Sequence, residues 1–304
     1  MARSVRVEFA GAIYHVLNRG NYRKDLFTVG ESGGWFVRAL QEASEQCGWR
    51  VHAYVVMSNH YHLVVETPEP NLVDGMHWLQ TTFSSRFNRS MGERGHVFQG
   101  RYKALLVAPG APFTGVVNYV HLNPVRAGLC AVEDLSDYAL GSYGRFFQKN
   151  RPDWLVRREF LDQLRLPDSL KGMNAYAKIL ALADERDPAK REALDREYCR
   201  GWLIGDAAYR KHILARMSGL ELRGSHRGED VRALKEHRWE QALAEQLRLH
   251  EKSPADLARA PKSADWKIAI ARHMRTHTRA TNPWLATKLS MGHPSRVSNL
   301  IYER

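Results

Sequence analysis

Apolar residues recur along the first half of the chain at two spacings, which predict a series of short strands and amphipathic helices. β-Branched and aromatic residues that run up to Gly or Asn predict strands, and apolar residues three or four positions apart predict helices. The predicted elements are, in chain order, a strand over 12–18, a helix from Ser32 to Gly48, strands over 50–57 and 61–66 joined by the turn Ser58-Asn59-His60, a helix from Asn71 to Gly92 and a strand over 98–107.

This order, β-α-β-β-α-β, is that of a ferredoxin-like fold, an α+β arrangement in which both helices cover one face of an antiparallel sheet. One more short helix is predicted from Pro112 to Asn123. Proline is favoured in the first turn of a helix, and Pro124 disfavours helical backbone at the residue before it.

The second half of the chain has a different pattern. From about residue 165 onward it reads as charged amphipathic helices with no convincing strand. The change predicts two domains, over residues 1–155 and 156–304, with the second one mostly α-helical. Its last part, about 265–304, has the pattern of two short helices around a turn.

Charge narrows the possible functions. The 304 residues include 45 Lys and Arg against 33 Asp and Glu, a net charge of +12, which favours a polyanionic partner such as nucleic acid. Half of that excess lies in residues 262–304. The apolar runs are too short for a membrane helix and the N-terminus lacks a signal-peptide core, so we expect a cytoplasmic protein with no membrane segment.

The three cysteines, Cys47, Cys130 and Cys199, are far apart in the chain and match no disulfide or metal pattern. We expect them to be small core residues.

His60 and His62 form the sharpest local motif. Side chains two apart on a strand point to the same face, so two imidazoles can converge on one metal ion. Such a pair also occurs by chance on exposed strands. No Asp follows at the spacing of a zinc-hydrolase site, which disfavours that class of enzyme.

Tyr119 and Asn123 lie one helical turn apart on the last predicted helix of the first half, where the phenol and the amide share a face. By spacing alone, Tyr119 reads more readily as a half-buried packing residue. Together with the His pair and the basic chain, however, the set fits phosphodiester chemistry. A metal held by two imidazoles and an amide oxygen polarises the phosphate, and the tyrosine hydroxyl attacks it to form a 5′-phosphotyrosine.

The chain resembles the HUH single-tyrosine transposases, and among them the REP-associated tyrosine transposases. Four segments carry the resemblance, and a fifth, GWLIGDAAYRKHIL (201–214), matches more weakly. The four segments are YHVLNRGNYRKDLF (14–27), VHAYVVMSNHYHLVVETP (51–68), RGHVFQGRYKALLV (94–107) and YVHLNPVRAGL (119–129).

The resemblance implies a role for each of these residues. It makes His60 and His62 metal ligands, Tyr119 the nucleophile and Asn123 a polar residue that assists the metal, which is Mg²⁺ or Mn²⁺ in this family. It also implies the substrate, single-stranded DNA folded into short palindromic hairpins, and a transposase-like cleavage and strand-transfer reaction. We expect a monomer or weak homodimer.

Basic and polar residues near these motifs are candidate DNA contacts, because cations bind phosphates and interleaved rings stack on unpaired bases. The rings in question are those of Phe83, Phe87, Phe98 and Tyr102, although Phe83 and Phe87 lie on an apolar helix stripe typical of a core. The candidate contacts in the first domain are Arg19, Asn21, Arg23, Lys24, Arg86, Arg89, Arg94, Arg101 and Lys103.

Residues 284–301 read as a helix, a Gly-containing turn and a second helix, like the helix-turn-helix of replication initiators. Ser295, Arg296, Ser298 and Asn299 fall on the polar side of the second helix and are candidate contacts to duplex DNA. A terminal helical hairpin that only packs on its neighbours has the same pattern. The exposed pair His273 and His277 is expected to lie on the surface.

Two other functions remain open for the whole chain. One is a non-catalytic regulator that grips DNA by sequence or structure, and the other is an RNA-binding protein.

Overall fold

The structure is a computed structural model that describes residues 7–217 and 229–302. The chain divides between Arg210 and Lys211 into two compact units, called here the N-terminal unit and the C-terminal unit. The predicted domain boundary after residue 155 therefore falls inside the N-terminal unit.

A five-stranded sheet with the order β2-β3-β1-β4-β5 forms the centre of the N-terminal unit. The strands are β1 (Ala12–Arg19), β2 (Arg50–Val56), β3 (His60–Thr67), β4 (Lys103–Val107) and β5 (Leu203–Ile204). The helices are α1 (Ser32–Cys47), α2 (Leu72–Met91), α3 (Ala111–His121), α4 (Asn123–Arg126), α5 (Arg158–Gln163), α6 (Leu170–Leu182), α7 (Pro188–Cys199) and α8 (Ala207–Met217), the last of which runs across the division.

The first four strands are antiparallel to their neighbours and follow the predicted β-α-β-β-α-β order, so the α+β fold with a ferredoxin-like sheet is confirmed. The strand β3 begins at His60, which pairs with Arg19 of β1. His60 is therefore a strand residue and not part of the turn, and Met57, Ser58 and Asn59 connect β2 to β3.

One face of the sheet is covered by α1 and α2 and is almost entirely apolar. The Tyr61 ring lies 4.5 Å from the Phe36 ring, centroid to centroid, and the Phe83 ring lies 5.2 Å from that of Phe27 and 5.6 Å from that of Phe98. All these rings are buried. We call this side the aromatic face.

The opposite face is covered by α3 and carries histidines. Residues alternate along a strand, so His60 and His62 of β3 and His15 and Leu17 of β1 share this side. His52 of β2 packs edge-on against Phe113 of α3, with ring centroids 5.0 Å apart. We call this side the histidine face.

Residues 135–182 pack on the same unit through a buried polar network. The His121 ring bonds to the hydroxyls of Tyr176 and Ser142, at 2.9 Å and 3.1 Å. The Val51 amide also donates to the Trp154 carbonyl at 2.8 Å. These contacts explain why the compact unit extends past residue 155, although the composition of the chain changes there.

Two predictions about strands are wrong, one about a boundary and one about the absence of strands in the second half. The strand expected over 98–107 begins only at Lys103, because Gly100 adopts a positive φ and Phe98 makes an isolated bridge to Gly20 instead. The second half also contributes a strand, β5, which pairs in parallel with β4. Its two residues are too few to produce an alternating pattern in the sequence.

The described part of the C-terminal unit is helical. Its helices are α9 (Glu229–Leu249), α10 (Pro254–Arg259), α11 (Asp265–His273), α12 (Asn282–Lys288) and α13 (Pro294–Tyr302), with one π-helical turn at Met274–Thr278. Its core includes Trp239, Leu243, Ile270, Trp284 and Val297. Among the residues that the structure describes, no helix has both the length and the apolar character of a membrane span.

Candidate active site

His62 lies at the centre of the histidine face and is 3% exposed. Its Nδ1 is 2.9 Å from Nε2 of His15, and Nδ1 of His15 is 2.8 Å from the backbone carbonyl of Tyr198. A carbonyl only accepts hydrogen bonds, so Nδ1 of His15 carries a proton. Neutral His15 then accepts at Nε2, and His62 donates from Nδ1. This leaves the lone pair of His62 Nε2 free for a ligand.

Burial keeps both imidazoles neutral. Desolvation lowers the pKa of His15 to about 4, and the bond to the Tyr198 carbonyl only partly opposes it. Desolvation also lowers the pKa of His62 well below its usual value, with further lowering by His15 and His60. Neutral imidazole is the form that binds metal ions.

His60 is partly buried beside His62, with the two ring centroids 5.2 Å apart. Its Nδ1 lies 2.8 Å from Oδ1 of Asn59, an acceptor, so its Nε2 also keeps a lone pair. Burial lowers the pKa of His60, and the Arg19 guanidinium adds to the shift.

Tyr119 reaches the same place from α3. Its ring centroid lies 5.7 Å from that of His62 and 6.0 Å from that of His15. The hydroxyl donates to Oδ1 of Asp195 at 2.8 Å and lies 3.2 Å from Sγ of Cys199. Burial raises the pKa of this phenol far above its usual value, and Cys199 and Asp195 raise it further. The hydroxyl is therefore neutral and covered by α7.

Asn123 follows Tyr119 after a break in the helix. Pro124 cannot donate a backbone hydrogen bond, and α3 accordingly ends at His121 before α4 begins. Nδ2 of Asn123 donates to the backbone carbonyl of Tyr119 at 2.9 Å. The side-chain carbonyl oxygen of Asn123 remains the free acceptor of its amide group.

Of the predicted metal ligands, the structure places His60 and His62 side by side, each with one ring nitrogen left for a ligand. No group of three or more His, Cys, Asp or Glu with metal-site geometry occurs in residues 7–217 or 229–302. The available donors are Nε2 of His60, Nε2 of His62 and the amide oxygen of Asn123. Imidazole nitrogen with few oxygen ligands favours Mn²⁺ over Mg²⁺ in intrinsic affinity.

Sequence reasoning missed three side chains here. His15 lies within a quoted motif, but only the pairing of β1 with β3 shows that it faces His62. Asp195 and Cys199 follow Tyr119 by 76 and 80 residues. Cys199 is not simply a core residue as expected, since it is only half-buried and contacts the phenol. No local signal in the chain identifies either contact.

Some of the predicted DNA contacts surround the end of β1 near His60. Arg19 pairs with His60 across the strands, and Lys103 pairs with Leu17 on the histidine face. Asn21 and Arg101 line a groove of about 670 Å³ whose other wall is the polar side of α2. Lys24 and Arg23 are exposed beside it, although Lys24 forms an ion pair with Glu93 at 2.6 Å.

The other predicted contacts lie elsewhere. Arg86 makes a two-point contact with Glu42 of α1, and Arg89 is exposed on α2, so both belong to the helical layer on the aromatic face. Arg94 is exposed in the segment between α2 and β4. The rings expected to stack on bases, Phe83, Phe87, Phe98 and Tyr102, are all at most 7% exposed, which contradicts that role.

In the C-terminal unit the predicted helix, turn and helix are present as α12, residues 289–293 and α13. Ser295, Arg296 and Asn299 are exposed, Ser298 is half-buried, and Val297 between them is buried. His273 and His277 are exposed, as expected, with ring centroids 4.4 Å apart.

Residues 8–123 match the family model described as IS200-like transposase. This segment is thus similar to the IS200-like transposases over about two fifths of the chain. The matched segment contains β1 to β4 and ends at Asn123, so it includes His60, His62 and Tyr119. No curated protein matches the chain.

Two solved structures are also similar to parts of the chain. One is a REP-associated tyrosine transposase bound to a REP hairpin, with 18% identity over 51% of this chain and 91% of its own, and a TM-score of 0.42. The other is a protein of Deinococcus radiodurans R1 that was assigned as a transposase, with 19% identity over 42% and 92% of the two chains, and a TM-score of 0.29.

Proposed function

We propose that the chain is a transposase-like enzyme that cleaves single-stranded DNA with Tyr119 and transfers the cut strand. The observation that carries the proposal is the approach of the Tyr119 ring to within 5.7 Å of the His62 ring, inside the segment that matches the IS200-like transposase model. A purely structural tyrosine would not need two neighbouring imidazoles that each keep a free Nε2.

The proposed reaction is an in-line displacement at phosphorus. The Tyr119 oxygen forms a bond to the phosphorus while the bond from phosphorus to the 3′ oxygen breaks. The hydroxyl proton leaves Tyr119, the departing 3′ oxygen takes up a proton, and the products are a 5′-phosphotyrosine and a free 3′-hydroxyl. A 3′-hydroxyl of another strand end reverses the step, which gives strand transfer without a further energy source.

His60, His62 and Asn123 are the proposed holders of Mg²⁺ or Mn²⁺. A divalent cation at this position supplies charge to the attacked phosphate. The protein contributes two imidazoles whose Nδ1 atoms are fixed by His15 and Asn59, so that each Nε2 is aimed for binding before the cation arrives.

Access to Tyr119 requires movement of α7. Asp195 accepts the hydrogen bond of the nucleophile, and Cys199 contacts it. Tyr198 is the one buried residue of α7, so this helix adds little apolar area to the unit. Release of the hydroxyl from Asp195 is thus a proposed first step of the reaction.

The proposed substrate is hairpin DNA with an unpaired segment beside the stem. The sequence resemblance supports it, as do the cations Arg19, which pairs with His60, Lys103 on the histidine face and Arg101 in the groove beside α2. Contact of α13 with duplex DNA, through Ser295, Arg296, Ser298 and Asn299, is a second part of the proposal. One tyrosine holds one covalent end at a time, so two linked cleavages need either successive use of one active site or two copies of the chain. We propose a monomer or weak homodimer.

The test is incubation of the full chain with end-labelled hairpin DNA and Mg²⁺ or Mn²⁺, followed by denaturing electrophoresis. With the unaltered chain we expect a nick and a DNA fragment whose 5′ end is bound to the protein. Tyr119→Phe should abolish both while leaving hairpin affinity within about twofold. Tyr138→Phe removes a tyrosine hydroxyl that donates to the Val56 carbonyl, outside α3 and α7, and is the matched control.

Four results would contradict parts of the proposal. Cleavage by Tyr119→Phe excludes Tyr119 as the nucleophile. Equal cleavage in chelator excludes the metal role of His60, His62 and Asn123. Tight binding without any nick favours the non-catalytic regulator, and cleavage of RNA in place of DNA favours the RNA-binding alternative.

A further inference from the structure

Arg126, at the end of α4, lies against the proposed nucleophile. Its guanidinium carbon is 4.7 Å from the centroid of the Tyr119 ring. Nε and Nη1 of the same side chain are buried, and neither has a hydrogen-bond partner. Two unpaired donors of a cation thus lie beside the tyrosine.

Two other partly buried arginines of the N-terminal unit do use their donors. Arg157 donates to Asp168 and to the backbone carbonyl of Phe146, and Arg151 donates to the carbonyl of Leu155. Buried N–H groups are nearly always paired, since an unpaired one loses its hydration without compensation. The exception at Arg126 indicates a ligand whose acceptor atoms complete the site.

The charges around Arg126 indicate the kind of ligand. Burial lowers the pKa of Arg126, and the negative charges of Asp195 and Asp184 oppose that shift. Asp195 is also the carboxylate that accepts the Tyr119 hydrogen bond. An anion is therefore already favoured between the hydroxyl and the guanidinium, and a phosphate attacked by Tyr119 brings negative charge to the same region.

We propose that Arg126 binds the phosphate that Tyr119 attacks and then holds the phosphotyrosine, with its guanidinium as the hydrogen-bond donor. This inference rests on the proposed function and names the residue that binds the reacting group. The planar guanidinium matches two phosphate oxygens at once, which a lysine ammonium does not. The displacement of the Asp195 carboxylate by the phosphate would also free the Tyr119 hydroxyl.

The first test measures the rate of adduct formation on hairpin DNA by Arg126→Gln and Arg126→Lys. We expect a loss of about a hundredfold or more for Arg126→Gln, as for removal of other groups that stabilise transition-state charge. Arg126→Lys should recover only part of it. Arg158→Gln is the matched control, because Arg158 is exposed on α5 and paired with Asp162.

The second test asks whether the partner of Arg126 is the reacting phosphate. Binding is measured in chains that carry Tyr119→Phe, with normal DNA and with DNA whose attacked phosphate is a neutral methylphosphonate. The modification should weaken binding about tenfold when Arg126 is present and have almost no effect with Arg126→Gln. Thermal unfolding of each variant verifies that it is folded at the assay temperature. If Arg126→Gln is not folded, the same comparison is made with Arg126→Lys.

The outcomes separate this inference from the proposed function. A Tyr119 adduct that forms equally fast in Arg126→Gln, or equal methylphosphonate effects with and without Arg126, overturns the role of Arg126 and leaves the function intact. Absence of any adduct in the unaltered chain contradicts the function, and the role of Arg126 with it.

Discussion

Tyr61 and His62 are adjacent on β3, yet their side chains lie in opposite surroundings. Tyr61 packs among the rings of Phe27, Phe36 and Phe98 on the aromatic face. His62 lies on the histidine face, bonded to His15 and close to Tyr119. The two-residue period of a strand separates them completely.

The comparison shows how one strand serves stability and chemistry at once. The aromatic face buries apolar rings, which is the main favourable contribution to folding. The histidine face buries polar groups, whose desolvation is unfavourable unless each is paired. Substitutions on the first face should therefore change stability, and those on the second should change function and its dependence on pH.

The largest expected effect on stability is that of Phe83→Ala on the aromatic face. Phe83 contacts several other rings, and removal of such a buried ring lowers the free energy of unfolding by about 3 to 5 kcal/mol. Urea unfolding, followed by hydrogen exchange of β3 peptides, measures it. Ser90→Ala on the exposed end of α2 is the control, with an expected change below about 0.5 kcal/mol. A loss below about 1 kcal/mol for Phe83→Ala would contradict the assignment of Phe83 to the buried aromatic face.

Acid should destabilise the N-terminal unit through the histidines. The pKa of His15 is lowered to about 4 and that of His121 to about 3, and the pKa of His62 is also lowered. A folded-state pKa below the unfolded value of 6.5 gives stability that is complete above pH 6.5. That stability is lost as pH falls toward the folded-state pKa.

Each such histidine should contribute up to about 1.4 kcal/mol per pH unit to the slope. Hydrogen exchange of β1 and β3 in the full chain, between about pH 7 and about pH 5, measures the slope. His60 also has a lowered pKa, so His121→Phe removes one of four groups and should lower the slope by about a quarter. A free energy of opening that does not change between about pH 7 and about pH 5 would contradict this prediction.

His15→Phe should weaken Mn²⁺ binding without removing a ligand. The phenyl ring keeps the volume but cannot accept from His62 Nδ1, so the orientation and tautomer of His62 are no longer fixed. Loss of such a supporting group typically lowers metal affinity by about 10- to 100-fold. Mn²⁺ titration followed by electron paramagnetic resonance measures it, with His250→Phe as control. Unchanged affinity would show that His62 needs no support.

The smallest expected effect is in the C-terminal unit. Arg296→Ala on α13 should lower the slope of log affinity against log salt for duplex DNA by about 0.9, the value for one phosphate contact. Arg259→Ala on α10 removes the same charge outside α12 and α13 and should leave the slope unchanged. Truncation is less informative, since Trp284, Leu285 and Val297 belong to the core. Equal salt slopes for Arg296→Ala and Arg259→Ala would indicate that α13 only packs on its neighbours.

The sequence was sufficient to predict what depends on local pattern. The bounds of α1 follow from apolar spacing and from Gly48, whose φ of 66° suits a helix end. The shared face of His60 and His62 follows from strand alternation alone.

What was missed depends on contacts between distant parts of the chain. The role of His15 requires the register of β1 against β3, and the cover over Tyr119 comes from α7, more than 70 residues later. The extension of the N-terminal unit to Arg210 rests on the bond of His121 to Tyr176 and on the pairing of β5 with β4, which no composition change reveals.

The central claim, that Tyr119 forms a covalent bond with a 5′ phosphate of DNA, is tested most directly by trapping it. A hairpin substrate with sulfur in place of the 3′ oxygen at the cleaved position releases a thiol, which reverses the reaction poorly. Mass spectrometry of the digested protein should then find the nucleotide on the peptide that contains Tyr119. A nucleotide on another residue, or cleavage with no protein-bound product, would contradict the account.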